Sequence, residues 1–174
     1  MSYKRTAYEA ILSHLDNCVK YSEDVDNEAP FVSFVNEGKE RCTEKTLETR
    51  IWFHEEFIEA SVFDIEDARK MPREKPENKE ELLKLIDFIN EIITKPESLF
   101  SFQIEVTYEG EICLTKLFSY TDFLGENASE SLKILTEGLP NAAETFCPHI
   151  YDVALGKCNS ETAINKIKEN LHNK

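Results

Sequence analysis

Glycine is scarce in this chain, five residues in 174, and none of the patterns G-x-G-x-x-G, G-x-x-x-x-G-K-[ST] or G-x-S-x-G occurs. So few glycines leave little backbone to cradle a phosphate or to hold a nucleophile on a strained turn. Cations are short as well. Twenty Lys and Arg stand against 34 Asp and Glu, giving a formal charge of −14 and a pI near 4.7. Such a charge repels a phosphate backbone, and no Lys/Arg cluster with interleaved aromatics offers a local exception, so nucleic acid is not an expected partner. No stretch approaches the roughly 20 apolar residues of a membrane span. The amino-terminal residues Met1-Ser2-Tyr3-Lys4-Arg5 lack the apolar core of a secretory signal. A cytoplasmic protein without membrane contact is the expectation. Cysteines are few and odd in number (Cys18, Cys42, Cys113, Cys147, Cys158), with no C-x-x-C pair. This usage fits a reducing compartment, buried thiols and no disulfides.

What the chain does have is apolar bulk: 41 % hydrophobic residues, eleven Phe among them. A single domain of this length buries about 70 % of the surface its unfolded chain exposes. Thr6 to Tyr21 carries Ala7, Tyr8, Ile11, Leu12, Leu15, Cys18 and Val19 at helical spacing. An acidic link, Ser22 to Glu28, leads to an apolar run, Phe31 to Val35, of strand length, and Asn36-Glu37-Gly38 reads as a turn. Leu47 to Glu66 alternates with period two. Closing this segment as a hairpin around Glu55-Glu56 sets Phe53 opposite Ile58, Ile51 opposite Ala60 and Thr49 opposite Val62. That register gives one apolar face and a second face bearing Arg50, Trp52, His54, Glu59 and Ser61. Glu77 to Lys95 follows as a helix with Leu82, Leu85, Ile86, Ile89, Ile92 and Ile93 on one stripe and acidic residues in its first turns. A second hairpin, Phe100 to Tyr120, closes through Glu109-Gly110-Glu111 and pairs Val106 with Leu114, Phe102 with Phe118 and Ile104 with Lys116. Ser129 is the expected N-cap of a long helical region carrying Leu132, Leu135, Leu139, Ala142, Ala143, Phe146 and Ile150, interrupted at Gly138-Pro140 and again at Pro148. A short helix over Ser160 to Leu171 ends the chain. The order α-β-β-β-α-β-β-α(-α) predicts one α+β domain over 1–174. Its mostly antiparallel sheet has about five strands with helices packed on one face, its core spans about 6–156, and 157–174 form a helical extension.

The candidates for chemistry are weak. His54-Glu55 begins like H-E-x-x-H, but position 58 is Ile58, and in a strand and turn that spacing would not converge on a metal. Asp24, Asp26 and Glu28 alternate like the start of a calcium loop. Ala29 and Val35, however, stand where such a loop needs Gly and Glu. Cys147, His149 and Cys158 match no standard zinc spacing and lack a fourth ligand. The sequence therefore predicts no catalytic residue, no metal site and no cofactor. Trp52, the only tryptophan, is the stronger lead: it sits beside Arg50 and near Phe63 on the second face of the first hairpin. Trp and Arg are favoured anchors of protein interfaces. The competing placement puts Trp52 beneath a covering helix.

The second half carries a leucine-rich helix with a late asparagine, Leu82-Leu83-Lys84-Leu85-Ile86-Asp87-Phe88-Ile89-Asn90. A hairpin closing through Glu109-Gly110 and a helix ending Cys147-Pro148-His149-Ile150-Tyr151-Asp152-Val153-Ala154-Leu155-Gly156 complete the pattern. In this combination the chain resembles the YbjN-like family of bacterial sensory transduction regulators, which share the type III secretion chaperone-like fold. Thr94-Lys95-Pro96-Glu97-Ser98-Leu99 lengthens the link before the hairpin, and the residues after Lys157 extend past the family pattern. The resemblance implies a non-enzymatic module, often a homodimer, that binds a polypeptide or takes part in regulation, and it carries over no catalytic residue. The leading expectation is thus a protein- or peptide-binding module with Arg50, Trp52 and Phe63 as contact residues. The alternative is a small-molecule sensor or an enzyme with a pocket between the sheet and the kinked helix near 138–149.

Overall fold

The computed structural model describes residues 2–15, 19–20, 31–37, 46–64, 76–93, 102–106 and 112–172. The acidic link 22–28, the tip Glu109-Gly110-Glu111, the link 94–99, Gly38, Cys18 and Cys42 lie outside these residues. Helix α1 (Tyr3–His14) is followed by strands β1 (Val19–Lys20), β2 (Phe31–Glu37), β3 (Thr46–Phe53) and β4 (Phe57–Asp64). Then come helix α2 (Pro76–Ile93) and strands β5 (Gln103–Val106) and β6 (Ile112–Ser119). A helical run of α3 (Ala128–Lys133), a π segment (Ile134–Gly138) and α4 (Leu139–Ala154) leads to α5 (Ser160–His172). The six strands form one sheet in the order β1-β2-β3-β4-β6-β5, antiparallel throughout. The α+β class and element order are those the sequence predicts, with the two-residue β1 added at one edge.

The inner face of the sheet shows why these segments are strands. Val32, Ile51 and Ala60 form one cross-strand row, and Phe53, Ile58 and Phe118 form the next. All are buried. Each large member contributes about 1.5–3 kcal/mol on leaving water. Helix α4 lies over β4 and β6 and buries Leu139, Ala142, Ala143, Phe146 and Ile150, the i, i+3, i+4, i+7 stripe read from the sequence, and Val153 beyond it. Helix α2 buries Leu85, Ile86, Ile89 and Ile93 against α4 and β5. Ala163 and Ile167 bring α5 into the same cluster. Tyr8 of α1 meets Phe53 edge to face, with ring centroids 5.1 Å apart.

Several boundaries differ from the pattern. The first helix stops at His14, with Leu15 already extended (φ −96°, ψ 111°), and Val19 pairs with Ser33 as strand. A stripe continuing to Val19 does not keep the helix going, because Val19 takes a strand partner in β2. The start of α1 is fixed by Ser2, whose Oγ accepts from Arg5 N at 3.3 Å. Asn36 and Glu37 belong to β2 instead of a turn, since both pair with β3. Ser129 lies inside α3, which begins at Ala128 directly after a 3₁₀ turn. Pro148 sits within an unbroken α4, whereas at Pro140 the chain resolves the missing donor through the preceding π segment.

The first hairpin has the predicted register: Phe53 opposite Ile58, Ile51 opposite Ala60, Thr49 opposite Val62. The second does not. Ile104 faces Leu114 and Val106 faces Ile112, a shift of two residues from the expected pairs. A two-residue slip keeps every side chain on its face, so alternation is blind to it. The observed register replaces an Ile104–Lys116 pair with an apolar one. Asn90 of α2 fixes this edge strand: its Oδ1 accepts from Ile104 N at 2.9 Å, and its Nδ2 donates to Ile104 O at 3.4 Å. Lys116 instead lies on the inner face opposite Ala60, half-buried, with its ammonium 5.1 Å from the Phe118 ring centre. Loss of hydration lowers its pKa.

The helix junction is equally specific. Glu81 accepts from Ser160 N at 2.9 Å and Ser160 Oγ at 2.7 Å, so a carboxylate from α2 caps the start of α5. The Ser160 hydroxyl and amide, joined by Lys84, hold the Glu81 pKa down to about 2. Asn78 Nδ2 donates to Ala154 O at 3.3 Å, at the end of α4. There Gly156 turns the chain with φ 69°, the left-handed conformation that ends helices.

Candidate functional site

The outer face of the sheet is built differently. The inner-face strand residues join one apolar cluster with the helices, and none of the described outer-face side chains belongs to it. One outer row runs across four strands: Phe31 of β2 opposite Trp52 of β3, Trp52 opposite Glu59 of β4, Glu59 opposite Leu117 of β6. Phe31 and Trp52 pack ring against ring, centroids 5.0 Å apart. Leu117 is 61 % exposed. Beside this row Phe57, 38 % exposed, stacks on His54 at 4.5 Å.

Polar bonds hold the row's neighbours in place. Glu48 accepts from Ser33 Oγ at 2.7 Å and from Arg50 Nη2 at 2.8 Å. His54 Nε2 pairs with Glu59 Oε2 at 3.0 Å. Ser61 Oγ and Thr115 Oγ1 share a hydrogen bond of 2.8 Å, and both residues are buried. The Tyr120 hydroxyl donates to the backbone carbonyl of His54, fixing the hairpin tip from below. Burial pushes the Tyr120 hydroxyl pKa up to about 12. The His54-Glu55-Glu56 stretch is therefore a hairpin connection, with Glu55 and Glu56 in solvent.

Of the residues singled out in the sequence, Arg50 and Trp52 do share this face. Phe63 is displaced from them along the sheet: its backbone lies opposite Glu48 and Cys113, and its side chain lies outside the described residues. The pattern placed Glu59 on the same face as Trp52, as observed, but missed Phe31 and Leu117, which reach this row from β2 and β6. Leu117 left a trace, an apolar residue between Thr115 and Ser119 on a strand side that is otherwise polar or small.

The metal candidates do not converge. Cys147 is buried, Cys158 is partly buried, and His149 accepts from Asn170 Nδ2 at 3.4 Å. Burial, reinforced by Lys166 and opposed by Asp152, lowers the His149 pKa. Among the described residues no group of three or more potential ligands is gathered, and no helix is long and apolar enough to cross a membrane. Around the expected pocket near 138–149, Leu139, Pro140, Ala142, Ala143 and Phe146 are buried, with Phe146 packed toward Phe102 at 6.3 Å between ring centres. Compared with protein-family models, with curated proteins and with solved structures, the chain finds no match.

Proposed function

We propose that this protein is a non-enzymatic, cytoplasmic binding module that takes a protein or peptide partner on the outer face of its sheet, in a chaperone-like or regulatory role. One observation carries the reading: Phe31, Trp52 and Leu117 stand in a single cross-strand row outside the apolar core, with Leu117 61 % exposed. Large apolar side chains in contact with water across several strands mark an interaction surface. Trp52 is held on both sides by strand pairing, to Phe31 and to Glu59, and Arg50 is tied to Glu48, so the surface is ordered before any partner arrives.

Membership of the YbjN-like family, with its type III secretion chaperone-like fold and homodimeric habit, belongs to the same proposal. The observed order, α-β-β-β-α-β-β-α once the two-residue β1 is set aside, supports it. A small-molecule or enzymatic site near 138–149 has less support, because Leu139, Ala142, Ala143 and Phe146 are buried in the apolar cluster shared with the sheet. Affinity capture from the source organism, read by quantitative mass spectrometry, tests the proposal with wild type and Leu117→Ser side by side. The expected result is a protein enriched by the wild type and lost with Leu117→Ser at unchanged melting temperature. Equal enrichment by both would overturn this use of the face.

A further inference from the structure

Resting on that reading, we infer that the occupant of the outer face is a basic polypeptide segment, in which a Lys or Arg lies between two apolar side chains. The order of groups along the row sets this pattern. Phe31 and Trp52 form an aromatic pair at one end, Glu59 stands in the middle, and Leu117 stands at the other end. Neighbouring strands lie about 4.8 Å apart, so Trp52 and Leu117 are separated by roughly 10 Å with the carboxylate between them. His54 engages one oxygen of that carboxylate, Oε2, at 3.0 Å. A cation reaching Glu59 therefore sets its apolar neighbours over Trp52 and Leu117.

The surrounding charge points the same way. The described charged side chains on this face and its tip are Glu48, Glu55, Glu56 and Glu59 against Arg50, four carboxylates to one guanidinium, and Arg50 is bonded to Glu48. Lys116 belongs to the opposite face, opposite Ala60. The chain as a whole carries −14. A second copy would bring another −14 to the contact, and an acidic segment would meet like charge at close range, whereas a basic segment is drawn in from a distance. The apolar residues supply contact area and the carboxylates select the sign of the partner.

Titration of the full-length protein with three short blocked peptides, followed by calorimetry, tests the inference. One peptide alternates leucine with lysine, one leucine with glutamate and one serine with lysine. The leucine–lysine peptide is expected to bind about tenfold more tightly than either of the others. Leu117→Ser should weaken it about tenfold, the loss of one buried Leu contact. Glu59→Gln should weaken it about threefold to fivefold, and that difference should vanish in molar salt. Circular dichroism melts matching wild type show that both variants are folded. Equal binding of the leucine–lysine and leucine–glutamate peptides, each weakened by Leu117→Ser, would overturn the basic occupant while the docking face stands. Leucine–lysine binding that ignores both substitutions would overturn the inference and the docking face together.

Discussion

The two faces of this one sheet obey different rules although the same strands build them. On the inner side, Phe53, Ile58 and Phe118 are buried and share a cluster with four helices. On the outer side, Trp52 and Leu117 sit among hydrogen-bonded polar groups, and Glu59 separates them. Burial explains the first arrangement completely. It does not explain the second, where Leu117 gains little from folding and keeps a mostly wet surface. The contrast assigns stability to the inner side, and the proposed recognition uses the outer one.

The contrast is broken or sharpened most strongly by a matched pair of truncations. Phe53→Ala, which removes a fully buried ring from under Tyr8, should cost about 3–5 kcal/mol in urea denaturation. Leu117→Ser should stay within about 0.5 kcal/mol of wild type in the same experiment. Comparable losses for the two would erase the distinction. Next in size is Gly156→Ala, in the helical layer behind the inner face. A Cβ there needs a left-handed backbone and would lie 2.9 Å from Asn78 Nδ2, displacing the side chain that bonds Ala154 O. Thermal denaturation should show a loss of about 1–2 kcal/mol. Gly125→Ala, with φ 64° but nothing within 4 Å of its Cβ, should lose less.

Asn90→Ala removes the clasp on β5 and leaves the Ile104 amide without its side-chain partner. A cost of about 1 kcal/mol is expected, with faster amide exchange at Ile104. The smallest effect is the acid response of the helix junction. The Glu81 pKa is lowered to about 2 from an ordinary 4.5, so its contribution is complete above pH 4.5 and fades as pH falls toward 2. Glu81→Gln should flatten that part of the pH–stability curve. Hydrogen exchange at the start of α5 should rise through the same window in wild type, while Trp52 emission, on the far side of the sheet, stays constant.

Legibility in the sequence followed how many constraints each pattern carried. In the first hairpin, alternation and a short connection at Glu55-Glu56 select the same pairs, and the register was readable residue by residue. In the second, alternation allows any even shift. The selecting contact is the amide of Asn90, 14 residues away from Ile104, which alternation cannot contain. The end of α1 was hidden because Leu15, Cys18 and Val19 continue a helical stripe in the sequence, whereas the pairing of Val19 with Ser33 depends on a later strand. Trp52 was visible as a lone aromatic on a polar strand face. Its neighbours Phe31 and Leu117 come from β2 and β6, and their meeting depends on a strand order, β2-β3-β4-β6, that no local pattern states.

Trp52 is the only tryptophan in the chain, so its emission reads the outer face without labelling. The decisive measurement is that emission, with acrylamide quenching, during saturation by the partner recovered in affinity capture. The account predicts a shift to shorter wavelength and loss of quenching on binding, both abolished by Leu117→Ser in a protein of unchanged stability. An emission spectrum and a quenching slope that stay the same at saturation would contradict it.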